Sequence, residues 1–419
     1  MMIKNLFILF FLLIPQLCFA KTIQVLHGGP LAINTTTSTF NNIASQAGSN
    51  TTETIRQNLA SPAGMFTNLR VKLSVDPANG AGTQSVTFTL RVAGAGTALG
   101  CTISEGSTTC IDTDSVSVTA GQRLGFNQTA ANTPAASNIE WTVEFIATST
   151  ADSFIFGGPA GTNLSTSATQ YVTPSPNAGY QTTSIAASSP IPVSGTLKNL
   201  YVELLTAPAN GAGTQSYTFK LYVNDSASII TCTISEAATT CNDLSNTVSI
   251  NAGDTLSMES VPAGTPSAFC KMKFGVTITA DVEGEFPVMM SKTQLTSTLV
   301  EEEIASYGGL HQGGNWSGTE TNVDQPTNKM VVKAMYVAID TDPGVGKSWT
   351  VTLNDDTSAT AQTCVISSGS TSCNFTTTAV EVLVDSQMDY AVVPSNTPPT
   401  TRGAFGIAGY KAHRIISIH

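Results

Sequence analysis

A nine-residue segment occurs twice in this chain without a single change. Residues 77–85 and residues 208–216 both have the sequence PANGAGTQS, and the two copies start 131 residues apart. That period is too long for a solenoid repeat, so the repeated unit must be a whole domain. A chain of 419 residues has room for two or three domains of ordinary size. The sequence therefore predicts a fold made by tandem copying.

Three copies can be aligned along the chain. The first two match over most of their length, and the third is eroded but keeps the same order of segments. The matches include 68–71 with 199–202, 101–105 with 232–236, 116–121 with 248–253, 216–221 with 348–353, and 232–235 with 364–367. They predict domains at residues 21–151, 152–282 and 283–419, after a separate segment at 1–20. Because the joins contain no Pro- or Gly-rich tether, we expect the domains to sit close together.

Apolar and polar residues alternate within each copy. Val86, Phe88 and Leu90 are separated by Thr, which is the period-two pattern of a half-buried strand. The Asn-Gly pair at 79–80 supplies a turn between two such runs. Many short strands of this kind predict an all-β chain of three tandem β-sandwich or jelly-roll domains. The one exception is 294–306, where we expect a short helix.

The first twenty residues have the three parts of a secretory signal. Lys4 supplies positive charge, residues 6–17 are apolar, and Ala20 ends a suitable cleavage site. The apolar run is shorter than the roughly 20 residues that span a bilayer. No later segment is long and apolar enough to do so. We therefore expect export to the periplasm, the cell surface or the medium, with no membrane span in the mature chain.

Six of the eight cysteines form three pairs with one spacing. The pairs are Cys101 with Cys110, Cys232 with Cys241, and Cys364 with Cys373. Each intervening segment predicts a hairpin that places the two sulfurs opposite each other on neighbouring strands. In an exported protein these pairs are expected to be disulfides, each worth about 2.7 kcal/mol on the chain-entropy estimate. Cys270 has no such partner, and it is either a buried thiol or the source of an intermolecular bridge.

The charged residues give little support to an enzyme. Acidic side chains outnumber basic ones by 29 to 18, which argues against a surface that neutralises nucleic-acid phosphates. No metal-spaced histidines, nucleophile elbow or phosphate loop is found in the sequence. Paired acids such as Asp340 and Asp342 are either calcium ligands or solvated loop residues, and 301–303 is expected to be a solvated charge run. The sequence thus predicts no catalytic site, metal or cofactor.

One tryptophan stands apart from the strand pattern. Trp316 lies in a glycine-rich segment of the third copy, close in sequence to Tyr307, His311 and Asn315. A loop tryptophan with polar neighbours can stack on a sugar or fill a partner's pocket, or it can pack onto its own domain. These four residues form the candidate partner-binding site. Trp141 instead occupies a strand position, and we expect it in the core.

The late part of the first two copies resembles a segment of TNF/C1q-like jelly rolls. Residues 120–124 and 252–256 share the pattern Ala-Gly-x-x-Leu ahead of a proline-containing loop and an aromatic strand. The third copy departs from it at 385–388. TNF/C1q-like modules commonly form trimers, so the resemblance implies that three fused copies close into an intrachain pseudo-trimer. The alternative is a rod of beads.

These features predict a non-enzymatic exported protein with a structural or adhesive role. The chain also resembles the repeated β-domains of exported bacterial surface proteins and phage structural proteins. The alternatives are an array of carbohydrate-binding modules and a phage- or virion-type structural protein. The expected partner is a protein, a glycan or a further copy of this chain, and no nucleic acid is expected.

Overall fold

The structure is a computed structural model, and it describes residues 21–44, 48–80, 82–158, 161–175, 179–211, 213–290, 292–297, 301–305, 316–317 and 325–413. Within these ranges the chain forms six antiparallel sheets and two short 3-10 turns, Glu53–Arg56 and Ile185–Ala187. The prediction of an all-β sandwich fold is confirmed. In the described part of the chain, no helix has the length and apolar character that crossing a membrane requires. The signal predicted at 1–20 lies outside the described residues.

The first two sheets enclose a common core, and we call them sheet pair 1. The sheet that contains β1, which we call the inner sheet, has the order β1-β10-β4-β7, and β8 also lies beside β4. The second sheet, which we call the outer sheet, has the order β2-β9-β5-β6, and β3 also lies beside β9. The strands are β1 (Lys21–Ala32), β2 (Thr39–Asn41), β3 (Asn58–Leu59), β4 (Gly64–Leu73), β5 (Ser85–Val92), β6 (Ala95–Ser104), β7 (Thr109–Asp112), β8 (Val116–Val118), β9 (Arg123–Ala131) and β10 (Asn138–Ala147).

Sheet pair 2 repeats this plan. The inner sheet has the order β11-β20-β14-β17 with β18 beside β14, and the outer sheet β12-β19-β15-β16 with β13 beside β19. The strands are β11 (Asp152–Gly157), β12 (Gln170–Val172), β13 (Ser189–Pro190), β14 (Gly195–Leu204), β15 (Ser216–Val223), β16 (Ser226–Ser235), β17 (Thr240–Asp243), β18 (Val248–Ile250), β19 (Thr255–Ala263) and β20 (Met272–Ala280).

Sheet pair 3 keeps the same order and adds two strands. The inner sheet runs β21-β32-β26-β29, with β22 and β30 alongside, and the outer sheet runs β24-β23-β31-β27-β28, with β25 beside β31. The last strand, β33, leaves this pair and joins β1. The strands are β21 (Glu285–Met289), β22 (Thr293–Leu295), β23 (Glu302–Ala305), β24 (Trp316–Ser317), β25 (Gln325–Pro326), β26 (Met330–Ile339), β27 (Ser348–Asp355), β28 (Ser358–Ser367), β29 (Ser372–Phe375), β30 (Val380–Val382), β31 (Gln387–Ser395), β32 (Thr401–Tyr410) and β33 (Ala412–His413). The domain boundaries at 151/152 and 282/283 stay predictions.

Aromatic side chains fill the space between the two sheets of each pair. In pair 1, the ring centroid of Phe88 lies 4.6 Å from that of Phe126, and both residues belong to the outer sheet. The Phe88 centroid also lies 5.1 Å from that of Trp141, which belongs to the inner sheet. The indole N–H of Trp141 donates to the Ile43 carbonyl oxygen at 2.7 Å. This tryptophan is fully buried, as expected from its strand position, because its ring adds apolar area while its one donor is satisfied.

The three predicted disulfides are present, but they do not lie in hairpins. The Cα atoms of Cys101 and Cys110 are 5.9 Å apart, and those of the other two pairs 5.8 Å. Cys101 lies on β6 of the outer sheet, whereas Cys110 lies on β7, which pairs with β4 in the inner sheet. The predicted cross-strand hairpin was wrong because the intervening turn carries the chain from one sheet to the other. Each disulfide therefore ties the edges of two sheets together.

Cys270 is a buried thiol, in agreement with one of its two interpretations. Its Sγ donates to the carbonyl oxygen of Thr206 at 3.2 Å. Burial raises its pKa to about 11, with a hydrogen bond involving Tyr217 acting in the opposite direction. A buried, protonated thiol is a poor nucleophile, so an intermolecular bridge through Cys270 is disfavoured.

The described residues of the duplicated segment lie in the loop after β4 and the loop after β14, and its last residue begins β5 or β15. In the first copy the Gln84 backbone N–H donates to a Glu105 carboxylate oxygen at 2.8 Å. In the second copy the Gln215 N–H donates to Glu236 at the same distance. Both copies thus fasten this loop to the turn that precedes the second disulfide cysteine. The same hydrogen bond in both copies is one structural reason for the exact repetition.

Two expectations about the third copy were wrong. The segment 294–306 contains the strands β22 and β23 instead of a helix, although residue 306 itself lies outside the described residues. Glu302 and Glu303 are buried, so 301–303 is not a solvated charge run. The Glu302 carboxylate accepts hydrogen bonds from the backbone N–H and the hydroxyl of Thr296, both at 2.7 Å. Burial nevertheless raises the pKa of Glu302, and pairing of β23 with β31 explains why it is enclosed.

Candidate functional site in the clefts between sheet pairs

The three sheet pairs contact one another in a ring. The short strand β3 of pair 1 packs against β20 of pair 2, β13 of pair 2 packs against β32 of pair 3, and β25 of pair 3 packs against β1 and β10 of pair 1. These three short strands occupy the same place in their own outer sheets, beside β9, β19 and β31. We call the contacts junctions 1/2, 2/3 and 3/1. Because pair 3 returns to pair 1, the arrangement is cyclic and not a rod.

The first strands of the three pairs meet at the centre of the ring. β1, β11 and β21 all contact one another. Phe154 of β11 lies 4.8 Å from Phe145 and 6.4 Å from Phe66 of pair 1, measured between ring centroids. The Gln24 side-chain amide of β1 donates to the Phe154 carbonyl oxygen at 2.9 Å. The centre therefore combines apolar packing with buried hydrogen bonds between pairs.

A tyrosine faces a glycine at two of the three junctions. At junction 1/2, a Cβ built on Gly121 would lie 3.2 Å from the Tyr201 ring. At junction 2/3, the same distance separates a Cβ on Gly253 from the Tyr336 ring. Both glycines have a positive φ, 83° and 95°, which glycine adopts at little cost. The repeated Ala-Gly pattern thus leaves room for a ring from the next sheet pair.

Junction 3/1 has different residues at these positions. Arg70 takes the place of the tyrosine, because it pairs with Thr142 on β10 as Tyr201 pairs with Gly275 on β20. Its guanidinium lies 3.1 Å from the Asp385 carboxylate. Asp385 has a φ of 66° and belongs to the segment where the third copy departs from the pattern. That departure therefore serves the contact that closes the ring.

Junction 1/2 contains a carboxylate held by two cations. Glu203 of pair 2 lies 2.7 Å from the Arg123 guanidinium of pair 1 and 3.2 Å from the Lys273 ammonium of its own pair. Glu203 and Lys273 are both almost fully enclosed. Burial lowers the pKa of Lys273, while the Glu203 charge opposes this shift. The Arg123–Glu203 ion pair thus links the two sheet pairs across the junction.

The charges at the corresponding place in junction 3/1 are reversed. Lys72 and Glu140 face each other across β4 and β10, as Glu203 and Lys273 do across β14 and β20. Their charged groups are 3.8 Å apart, and Gln387 of pair 3 donates to Glu140 at 2.9 Å. Burial raises the pKa of Glu140, with Lys72 acting against this shift. The exchanged charges make each junction chemically distinct.

Junction 2/3 is held by a group of charged residues at its rim. The Lys292 ammonium binds the Ile185 carbonyl oxygen of pair 2 and the Asp340 carboxylate of its own pair. Arg402 lies 2.9 Å from the other Asp340 oxygen and donates to the Gln181 side chain of pair 2 at 3.1 Å. Asp340 is thus engaged by two cations. Among the described residues, no group of three or more His, Cys, Asp or Glu is suited to a metal ion.

Two of the junctions contain clefts that open to solvent at equivalent positions. The cavity at junction 2/3, the 2/3 cleft, has a volume of about 550 Å³ and is lined by Tyr336, Asp225, Lys292, Asn374 and others. The cavity at junction 1/2, the 1/2 cleft, measures about 320 Å³. Its lining includes Tyr201, the counterpart of Tyr336. A volume of 300–1,000 Å³ is usual for small-molecule sites, so both clefts can hold a ligand.

The structure does not describe the side chains of the predicted partner-binding residues. Tyr307, His311 and Asn315 lie outside the described residues, and for Trp316 only the backbone is described, in the two-residue strand β24. Their role stays a prediction. The sequence did not predict the clefts, because the walls of each cleft come from two different copies of the repeat. The repeated Ala-Gly at 120–121 was the one sequence signal that could have marked them.

Comparisons with known proteins do not assign a family. No protein-family model and no curated protein matches the chain. One similar solved structure is described as "Life in the extremes: atomic structure of Sulfolobus Turreted Icosahedral Virus", with 11% identity over 85% of this chain and 82% of that one, and a TM-score of 0.17. Another is the M60 catalytic domain with the CBM51-1 and CBM51-2 domains of Clostridium perfringens ZmpB, with 9% identity over 85% of this chain and 55% of that one, and a TM-score of 0.20. Scores this low support no argument about function.

Proposed function

We propose that this chain is a non-enzymatic exported protein with a structural or adhesive role, folded as a single-chain pseudo-trimer. The observation that carries the proposal is the closure of the ring at junction 3/1. There β25 packs on β1 and β10, and β33 extends the inner sheet of pair 1 by pairing with β1. Fusing three modules in one chain fixes their stoichiometry and allows each junction to differ.

The strand order supports a jelly-roll identity for each module. In pair 2 the chain crosses repeatedly between the two sheets: β14 lies in the inner sheet, β15 and β16 in the outer sheet, and β17 in the inner sheet again. A double-sheet jelly roll has this kind of plan. It is also the arrangement that the resemblance to TNF/C1q-like modules implies.

The disulfides and the charge pattern favour a stable binding or structural role. Three disulfides are compatible with an extracellular protein. The described acidic and basic groups at the junctions pair mainly with one another, as Asp340 does with Lys292 and Arg402. Groups engaged in this way hold modules together, whereas acid–base catalysis needs a group that is free to exchange a proton.

Solution scattering and cell fractionation test the proposal together. A compact mature chain of this length has a radius of gyration of about 21 Å, and a rod of three modules would give a clearly larger value and a separate long dimension.

Fractionation should place the protein on the cell surface, in the periplasm or in the medium. Recovery in purified virus particles would favour the virion-type alternative, and recovery in the cytoplasm would contradict the export proposal. A hydrolytic activity lost on changing one carboxylate would contradict the non-enzymatic role.

A further inference from the structure

We propose that the 2/3 cleft is a binding site for a neutral saccharide. The site lies between sheet pairs 2 and 3 and exists only when the ring has formed. It goes beyond the structural role, because a pseudo-trimer can be stable with an empty cleft. Size, surface chemistry and charge each point to this class of ligand.

The size of the cleft fits a short oligosaccharide. Its volume is about 550 Å³, well inside the range of small-molecule sites. A second cavity of about 490 Å³ is lined by Asp340, Arg402 and other residues of sheet pair 3. Because Asp340 lines both cavities, they adjoin and form a groove that runs from junction 2/3 onto sheet pair 3. A ligand of several sugar units can therefore extend from one cavity into the other.

Tyr336 supplies a flat surface in the cleft. One edge of its ring lies over Gly253, where an added Cβ would approach to 3.2 Å, and the residue remains partly exposed. Among the described residues the Tyr336 hydroxyl has no hydrogen-bond partner. An amphipathic ring of this kind packs against the C–H face of a sugar and bonds a hydroxyl at its tip. Ile185, which is 58% exposed, adds an apolar contact at the rim.

The polar side chains in the cleft match hydroxyl groups. Asn374 is exposed and lines the cavity, and its amide can donate and accept at the same time. Asp225 accepts a hydrogen bond from the Ser184 hydroxyl at 2.9 Å through one carboxylate oxygen, which leaves the other oxygen for a ligand hydroxyl. Sugars present neighbouring hydroxyls that each donate and accept, so they can satisfy both kinds of group together.

The charges in the groove balance. Lys292 and Arg402 carry positive charge, and Asp225 and Asp340 carry negative charge. A phosphate or sulfate ligand would need a surplus of cations, and an ammonium ligand would need a surplus of carboxylates. Neither surplus is present among these four groups. The balance therefore favours a neutral polyol over a charged ligand.

The 1/2 cleft serves as a natural control. It keeps the tyrosine, as Tyr201, and it keeps the asparagine, as Asn242. However, it is smaller, at about 320 Å³, and its carboxylate, Glu203, is bound to two cations. We therefore expect weaker binding or none in this cleft.

The test is a glycan array probed with the full mature protein, followed by titration of the best neutral oligosaccharide by calorimetry. Tyr336→Ala should weaken binding at least tenfold, and Asn374→Ala about fivefold. The matched variants Tyr201→Ala and Asn242→Ala should change affinity less than twofold. Asn374 and Asn242 are both exposed, so their substitution should leave folding intact, which a thermal melt checks for each variant.

Three outcomes would overturn the inference. The wild-type protein could bind no glycan on the array. It could bind only acidic glycans, which would contradict the argument from charge balance. Finally, Asn242→Ala could weaken binding as much as Asn374→Ala does, which would move the ligand to the other cleft. None of these outcomes affects the ring, which scattering tests separately.

Discussion

The guanidinium of Arg70 lies 3.1 Å from the carboxylate of Asp385, although 315 residues separate them in the sequence. At the two other junctions the same positions hold a tyrosine and a glycine. Both changes are needed together, since an arginine facing glycine would lack its partner and an aspartate facing tyrosine would lack a cation. The pair closes the ring and distinguishes junction 3/1 from its relatives.

Restoring the common pair at junction 3/1 should be tolerated. We expect the free energy of unfolding of the double variant Arg70→Tyr/Asp385→Gly to lie within about 1 kcal/mol of the wild-type value, because glycine suits the φ of 66° at position 385. Arg70→Tyr alone should lower the free energy of unfolding by about 0.5 kcal/mol, since the Asp385 side chain is 62% exposed and water screens the ion pair. Urea unfolding of the singles and the double measures the coupling. Strict additivity of the two single effects would contradict the assigned equivalence of the junctions.

Gly275 should not accept a larger side chain. A Cβ at this position on β20 would lie 2.5 Å from the Leu59 carbonyl oxygen of pair 1, well inside van der Waals contact. Gly275→Ala should therefore destabilise the protein by about 2 kcal/mol. Gly96→Ala is the control, because the nearest atom to a Cβ there is 3.9 Å away. Equal thermal melts for the two variants would argue against the close contact at junction 1/2.

His27 should make stability fall in mild acid. It is fully buried on β1, and burial lowers its pKa from 6.5 to about 3. The unfolded chain therefore binds a proton more readily than the folded one between these values, so stability is complete above about pH 6.5 and is lost as the pH falls. The expected slope is about 1.4 kcal/mol per pH unit.

Urea unfolding at several pH values between 4 and 7 measures this dependence, with His27→Gln as the comparison. The variant should show a flatter dependence, whatever its stability at neutral pH. If wild type and variant lose stability in parallel over this range, His27 is not the group responsible.

Thiol labelling should separate the seven cysteines of the predicted mature chain into two classes. The six disulfide cysteines should react only after reduction. Cys270 should resist a maleimide in the native protein, because it is buried and its pKa is raised to about 11, and it should react once the chain is unfolded. Mass spectrometry of the labelled peptides would thus find one added group without reductant. Any labelling of Cys101, Cys232 or Cys364 without reductant would contradict the disulfides.

The sequence predicted which cysteines form disulfides but not which sheets the disulfides join. The repeated spacing identified the three pairs, because only matched cysteines recur at the same place in each copy. The spacing did not reveal that Cys101 and Cys110 lie on different sheets. A turn within one sheet and a turn between two sheets have similar lengths, and their difference depends on which distant strand each arm meets.

The third copy shows the same limit. Alternation along 302–305 is too short to reveal a strand, and three consecutive glutamates predict exposure. Only the pairing of β23 with β31 encloses Glu302 and Glu303. Local sequence carries no information about a covering partner that comes from ninety residues away.

Local sequence patterns were enough to predict an all-β fold with three internal disulfides, because period-two alternation and repeated cysteine spacings can be read over short stretches of chain. The ring of sheet pairs, the contact of Arg70 with Asp385 and the contact of Tyr336 with Gly253 became visible only in the folded chain. Those contacts join surfaces of different copies, and their energies depend on which faces meet, a choice that no local pattern records.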